Sequence, residues 1–194
     1  MTRKRRNEVV DAAARVFAER GFHGASTRNI AEFLGMRQAS IYYYFGSKEE
    51  ALEEVCTIGT AGFVDRAEAI IDKDIEPAKK LCMILEAHTL PLADRADYTL
   101  TFLNERKFLP TESRRRLGRM TRRYEAIFEK VLRDGVRSGC FHSDLNPKVT
   151  AIALIGMLNS VSLWHKRTGA DLKHIIKIVT DLASRGTAAT HNLE

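Results

Sequence analysis

Thr27-Arg-Asn-Ile-Ala-Glu-Phe-Leu-Gly-Met-Arg-Gln-Ala-Ser-Ile-Tyr-Tyr-Tyr-Phe-Gly-Ser-Lys48 decides how this chain is read. Ile30, Ala31 and Leu34 recur at helical spacing and form the inward face of a first short helix. Gly35 supplies the positive φ that a tight helix-to-helix turn favours. A second short helix begins near Gln38. Within it Ile41 and Phe45, four apart, point the same way and pack on the first helix. Gln38, Ala39, Ser40, Tyr42, Tyr43 and Tyr44 are left on or near the outward side. The pattern is that of a helix-turn-helix, with the outward side as its reading face.

The residue types on that side suit a nucleic-acid groove. Glutamine can hydrogen-bond adenine edges, alanine and the Thr or Ser side chains touch thymine methyls or either base, and tyrosine hydroxyls donate to phosphate oxygens. The expected DNA-contacting set is Thr27, Arg28, Arg37, Gln38, Ala39, Ser40, Tyr42, Tyr43, Tyr44 and Lys48. The competing reading of the three tyrosines is an aromatic patch that staples the next helix. Gly46 ends the reading helix, and Ser47-Lys-Glu-Glu50 has the form of a capping box that starts a new helix at Lys48. A lysine at a helix N-terminus opposes the macrodipole, whereas a phosphate there is welcomed by both the lysine and the free amides.

Taken with Arg15-Val-Phe-Ala-Glu-Arg-Gly-Phe-His-Gly-Ala-Ser-Thr27 upstream, the stretch resembles the DNA-binding domain of the tetracycline-repressor (TetR) family of bacterial transcriptional regulators. An amphipathic helix ending in Phe-Ala-Glu-Arg-Gly-Phe is followed in register by a Thr, an Ile-Ala pair, a Gly, an Ile-Tyr-x-Tyr-Phe block and Ser-Lys-Glu. The chain departs from the pattern at Leu34, Arg37 and Gly46, of which the first two bear on the turn and on base preference. The resemblance implies an all-α protein with a three-helix DNA-binding domain at 1–47 and a larger helical ligand-binding and dimerisation domain at 48–194. It further implies a homodimer on palindromic operator DNA, most simply a repressor, released by a small effector.

Composition agrees with that class. The 194 residues are 44% hydrophobic and 29% charged, as in a globular protein, and a formal net charge of +6 favours a polyanionic partner. The three cysteines, Cys56, Cys82 and Cys140, are scattered and odd in number, so neither a disulfide framework nor a CxxC metal site is expected. A reducing cytoplasm fits this usage. Met-Thr-Arg-Lys-Arg-Arg at the start is followed by polar residues and not by an apolar signal core. The longest apolar run, Ala151 to Leu158, is well short of the roughly 18 residues of a membrane span, so no membrane partner is expected.

Along the chain, the basic run Arg3 to Arg6 leads into a helix with an apolar stripe at Val9, Ala13, Val16 and Phe17. That run could lie along the phosphate backbone or fray into solvent. A helix from Lys48 continues to about Ile70, and the family resemblance makes it the connecting helix. Pro77 opens the next helix. Tyr98 to Phe108 forms another, and a long one runs from Glu112 to about Ser138 with a basic face from Arg114 to Arg123. Asn146 and Pro147 cap and open a helix that is apolar on nearly every side, and the last begins at Asp171.

These last two helices are expected to form the dimer contact through Ile152, Ile155, Leu172, Ile175, Ile176, Val179 and Leu182. The alternative is that the stripe is intramolecular core. The expected effector pocket draws on Phe63, Phe102, Leu103, Met120, Tyr124, Phe128, Met157 and Trp164, which fits a hydrophobic molecule. The Phe102 to Pro110 segment, the basic helix and the Gly156 to Trp164 stretch also resemble TetR relatives that control lipid or sterol breakdown in response to acyl-CoA thioesters. Ordinary packing and a neutral aromatic effector are the competing readings.

The six histidines show no HExxH spacing, and there is no GxSxG, P-loop or GxGxxG after a strand. No cofactor, metal or enzymatic activity is therefore expected. The competing function class is an all-α enzyme or a protein-interaction module with an incidental helix-turn-helix.

Overall fold

A computed structural model describes residues 3–91 and 95–189 of the chain. His191 lies outside them. The elements are α1 (Arg3–Gly24), α2 (Thr27–Phe33), α3 (Gln38–Ile41), α4 (Lys48–Ile71), α5 (Pro77–Thr89), α6 (Ala96–Glu105), α7 (Thr111–Ser138), α8 (Pro147–Trp164) and α9 (Leu172–Thr187). Single turns of 3₁₀ helix follow α6 at Arg106–Phe108 and α8 at His165–Arg167. The all-α expectation holds: among the described residues the one β feature is an isolated bridge between Phe141 and Ala188.

The chain divides into two compact units, Met1–Ala61 with Arg95–Arg119, and Gly62–Asp94 with Met120–Glu194. The first is larger than the expected 1–47, and the reason lies in α1. Val9, Ala13, Val16 and Phe17 are buried as the stripe predicts, but so are Val10, Ala12 and Ala14 on other sides of the helix. A helix apolar on more than one side must be covered more than once. The second cover is α6, whose Tyr98 hydroxyl donates to Asp11 Oδ1 at 2.6 Å and whose Thr101 Oγ1 donates to Ala14 O at 3.2 Å. The start of α4 contributes too, with Leu52 and Val55 fully buried.

The second unit closes around Val64, Leu81, Ile84, Leu85, Phe128, Leu132, Leu154, Leu158, Val161, Ile175 and Val179. Pro77 occupies the first turn of α5, and Asn146 Oδ1 accepts from Val149 N at 3.1 Å to cap α8, as those sequence signals predict. After Ser138 the chain reverses at Gly139 (φ +77°), which turns Phe141 back over α7. A Cβ on Gly135 would lie 2.0 Å from Phe141 Cδ2, so only glycine admits the ring there. The bridge at Ala188, with Ala189 N donating to Cys140 O at 3.1 Å, ties this turn to the end of α9.

The dimer expectation needs correction at the level of residues. Ile175 and Val179 are 4% and 6% exposed and belong to the unit's own core, against which Ile155 and Leu172 also pack. Ile176 faces α5 across a groove that Glu86, Thr89 and Leu90 line from the other side. The i, i+3, i+4, i+7 stripe of α9 is therefore intramolecular for the most part. Of the expected set Ile152 and Leu182 are open, and with them stand Val149 and Leu163 on α8 and Ile178 on α9, all more than half exposed. Among the described residues, α8 is the helix long and apolar enough to pass for a membrane span, with 18 residues at a mean hydropathy of 1.2. Ala151, Leu154, Leu158 and Val161 give it a buried side.

Candidate nucleic-acid interface and effector cluster

The helix-turn-helix is built from local hydrogen bonds that its sequence supplies. Ser26 caps α2 reciprocally: Asn29 N donates to Ser26 Oγ at 3.2 Å and Ser26 N donates to Asn29 Oδ1 at 3.0 Å. Gly35 takes φ +63° in the turn. Ile30, Ile41 and Phe45 are fully buried and seat α3 against α2. Outward stand Arg37, Gln38 and Ala39, all exposed, with Tyr42 54% and Tyr43 79% exposed. Arg28 is exposed beside Glu32 at 2.8 Å. Thr27 is buried beneath this face, and its Oγ1 accepts from Gln38 Nε2 at 3.1 Å.

Two further members of the expected set have other occupations. Tyr44 is only 8% exposed. Three residues after Ile41 it flanks the buried side even in a regular helix, and the chain tightens there, with Tyr44 N donating to Ile41 O at 2.8 Å. The staple reading thus applies to Tyr44, and the outward reading to Tyr42 and Tyr43. Lys48 bends back: its Nζ donates to Phe22 O at 2.8 Å and Ala25 O at 3.0 Å, 4.2 Å from the centre of the Phe22 ring. Its charge fastens the α1–α2 connection to α4. The capping box of α4 is also shifted by one: Glu50 N donates to Ser47 Oγ, but Glu50 Oε2 accepts from Gly46 N. Arg6 pairs with Glu54 at 2.5 Å, so that part of the basic run serves the fold.

Phe22 is a junction that the sequence does not reveal. Its N–H donates to Glu105 Oε2 at 2.7 Å, its carbonyl accepts from Lys48, and its ring stacks on Phe108 with centroids 5.4 Å apart. Gly21 (φ +65°) makes the turn that brings it there.

In the second unit, Phe63, Tyr124 and Phe128 of the expected pocket set come together around His88, which lies outside that set. His88 is 5% exposed, with its ring 4.8 Å from that of Phe63. Its Nε2 lies 3.1 Å from Asn159 Oδ1 and its Nδ1 lies 2.8 Å from the Tyr124 hydroxyl. Since Oδ1 can only accept, Nε2 carries the proton, Nδ1 accepts, and the Tyr124 hydroxyl donates to it. Burial holds the His88 pKa down at about 4, the Asn159 bond opposing that fall and the Arg66 charge adding to it. Burial raises the Tyr124 phenol as well. The cluster is neutral, ordered and enclosed by apolar side chains, and i, i+3 spacing of His88 from Leu85 was the signal that it points inward.

Met157 and Trp164 are half-buried against the same core, whereas Met120 stands apart from it. Phe102 and Leu103 belong to the first unit, where the Arg106 guanidinium lies 4.7 Å from the Phe102 ring. Half of the six arginines on the basic face of α7 are ion-paired: Arg115 with Glu112, Arg116 with Glu53, and Arg123 with Glu68. The Glu53 carboxyl is held below its ordinary range, because hydrogen bonds from Ser113 and Arg116 outweigh the opposing effect of its burial. Arg119 and Arg122 make no ion pair among the described residues.

A short helix lying on a packed scaffold, with its polar and aromatic side chains outward, defines a helix-turn-helix DNA-binding protein. Residues 9–55 match the family described as bacterial regulatory proteins, tetR family, and residues 74–187 match the Tetracyclin repressor-like C-terminal domain. The chain belongs to the TetR family of transcriptional regulators. It is 25% identical over 158 residues to the fatty acid metabolism regulator protein of Bacillus subtilis, covering 81% of each chain. It is 25% identical over 194 residues to the HTH-type transcriptional repressor KstR2 of Rhodococcus jostii, covering 97% of this chain and 93% of that one. The crystal structure of FadR from Bacillus subtilis in complex with stearoyl-CoA superposes with a TM-score of 0.74 at 25% identity, covering 93% of this chain and 98% of the other.

Proposed function

We propose that this regulator is a cytoplasmic, homodimeric repressor that leaves a palindromic operator when an acyl-CoA thioester binds its larger helical unit. DNA is held by the face that Arg28, Arg37, Gln38, Ala39, Ser40, Tyr42 and Tyr43 form. The observation that carries this is the inverse distribution of polarity on that face, where large aromatic and amide side chains stand exposed over a fully satisfied apolar core. Two copies are needed because one reading helix spans too few base pairs for useful specificity, and a two-fold pair reads a palindrome. The open apolar face of α8 and α9 supplies the contact, since exposed apolar patches of that kind mark association sites.

The effector reading rests on the likeness to a fatty acid metabolism regulator and to a stearoyl-CoA complex, together with the chemistry of the second unit. Phe63, Tyr124, Phe128, Met157 and Trp164 offer an apolar, aromatic lining, and Arg122 of α7 offers charge to an anionic end. A ligand shifts the population only if it binds the released form more tightly than the DNA-bound form. The test is operator release: protein bound to a selected duplex is titrated with stearoyl-CoA, free stearate, coenzyme A and a neutral aromatic compound. Release by the acyl-CoA at concentrations where coenzyme A and the free acid are inert is expected. Release by the neutral compound alone refutes the acyl-CoA assignment.

A further inference from the structure

The hydrogen bond between Thr27 and Gln38 bears on which base the protein reads, an inference that rests on the DNA-binding function. A glutamine amide has one acceptor, Oε1, and two Nε2 protons. One of those protons is directed at Thr27 Oγ1, at 3.1 Å. Gln38 is exposed and free to turn, whereas Thr27 is buried in the first turn of α2, behind the reciprocal Ser26–Asn29 cap. The bond therefore ties a side chain that would sample several orientations to an oxygen fixed in the scaffold.

Left facing outward are Oε1 and one Nε2 proton, an acceptor beside a donor. Adenine presents the matching pair in the major groove, a donor at N6 and an acceptor at N7. Guanine presents two acceptors, O6 and N7. Gln38 can meet those only by turning its amide over, so that both Nε2 protons face the groove and Oε1 accepts from the Thr27 hydroxyl. The Tyr42 hydroxyl stands 3.5 Å from Thr27 Oγ1, long for an O–H···O bond yet on the side that gives the Thr27 proton another acceptor. In that order Gln38 donates to Thr27 and Thr27 to Tyr42, and the exposed phenol keeps its own proton for a phosphate oxygen.

We propose that Thr27 is a positioning residue for recognition: it fixes the Gln38 amide for adenine and against guanine. Thr27→Val keeps the shape and removes the acceptor, and Thr27→Ser restores it. The experiment is selection from a randomised duplex library with full-length wild type, Thr27→Val, Thr27→Ser, Gln38→Ala and Thr27→Val/Gln38→Ala, with base preference read at each position. Wild type is expected to select adenine at the position that Gln38→Ala relaxes. Thr27→Val should lower adenine-over-guanine discrimination there by about tenfold, within the range of one bidentate contact. Other positions should hold, Thr27→Ser should recover the preference, and the double variant should match Gln38→Ala alone. A uniform loss of affinity in Thr27→Val with unchanged preferences would show Thr27 to be a phosphate contact and overturn the proposal. So would failure of Thr27→Ser to recover it, or a Gln38-dependent base other than adenine. If wild type selects no sequence at all, the DNA-reading function falls with it.

Discussion

The two compact units of this protein are built inside out with respect to one another. In the first, apolar residues such as Phe17, Ile30, Ile41 and Phe45 are fully enclosed, and the polar chemistry of Gln38, Tyr42 and Tyr43 is outside. In the second, a histidine and a tyrosine are enclosed, and Val149, Ile152, Leu163, Ile178 and Leu182 are left outside. A polar face over a finished core needs nothing to be stable and is free to meet a polyanion. An apolar face outside and a polar cluster inside are each unfinished, since exposed apolar surface and buried polar groups are both unfavourable unless something answers them. For the outer face the proposed answer is a second copy of the chain. For the inner cluster it is the internal pairing of His88 with Tyr124 and Asn159.

The largest effect should come from the outer face. Ile178→Glu with Leu182→Glu places carboxylates where the proposed partner docks, and sedimentation should then report monomers that keep their helical content. A persistent dimer would place the contact elsewhere and remove the reason for the exposed residues.

The inner cluster should show itself in the pH dependence of stability. The His88 pKa falls from 6.5 to about 4 on folding, so between those values the unfolded chain binds the extra proton. The contribution is complete above pH 6.5 and is lost as pH falls toward 4, amounting to about 3 kcal/mol. Denaturant melts of wild type and His88→Gln should differ by this amount in the stability lost across that window. Parallel curves would mean that the imidazole is open to water.

The smallest effect belongs to the first unit. Lys48→Met should lower stability by about 1 kcal/mol, as expected for a half-exposed cation bonded to two carbonyls. It should change the salt dependence of DNA binding little. A salt slope reduced by about one unit would return Lys48 to the phosphate backbone.

How much of this was legible in the sequence follows the same division. Helix periods, Gly35, Asn146 and Pro147 carry their meaning locally, so the elements and the reading face were readable from spacing. Tyr44 and Lys48 were not, because their orientation depends on a tightened turn after Ile41 and on carbonyls more than twenty residues upstream. The α9 stripe was read correctly as apolar, but period alone does not say whether the covering helix comes from the same chain. Spacing from Leu85 marks His88 as inward, but its partners Tyr124 and Asn159 lie on other helices, and nothing local marks them as a set.

The cover that α6 provides for α1 has a consequence for how the protein is made. The recognition motif is complete within the first fifty residues, yet the side of α1 that carries Val10, Asp11 and Ala14 is closed only by residues 95–119. On the ribosome, then, α1 waits with an uncovered hydrophobic flank until residues 95–119 have followed it. The reading head is translated ahead of its own cover, and the nascent chain is most exposed to proteases and chaperones in that interval.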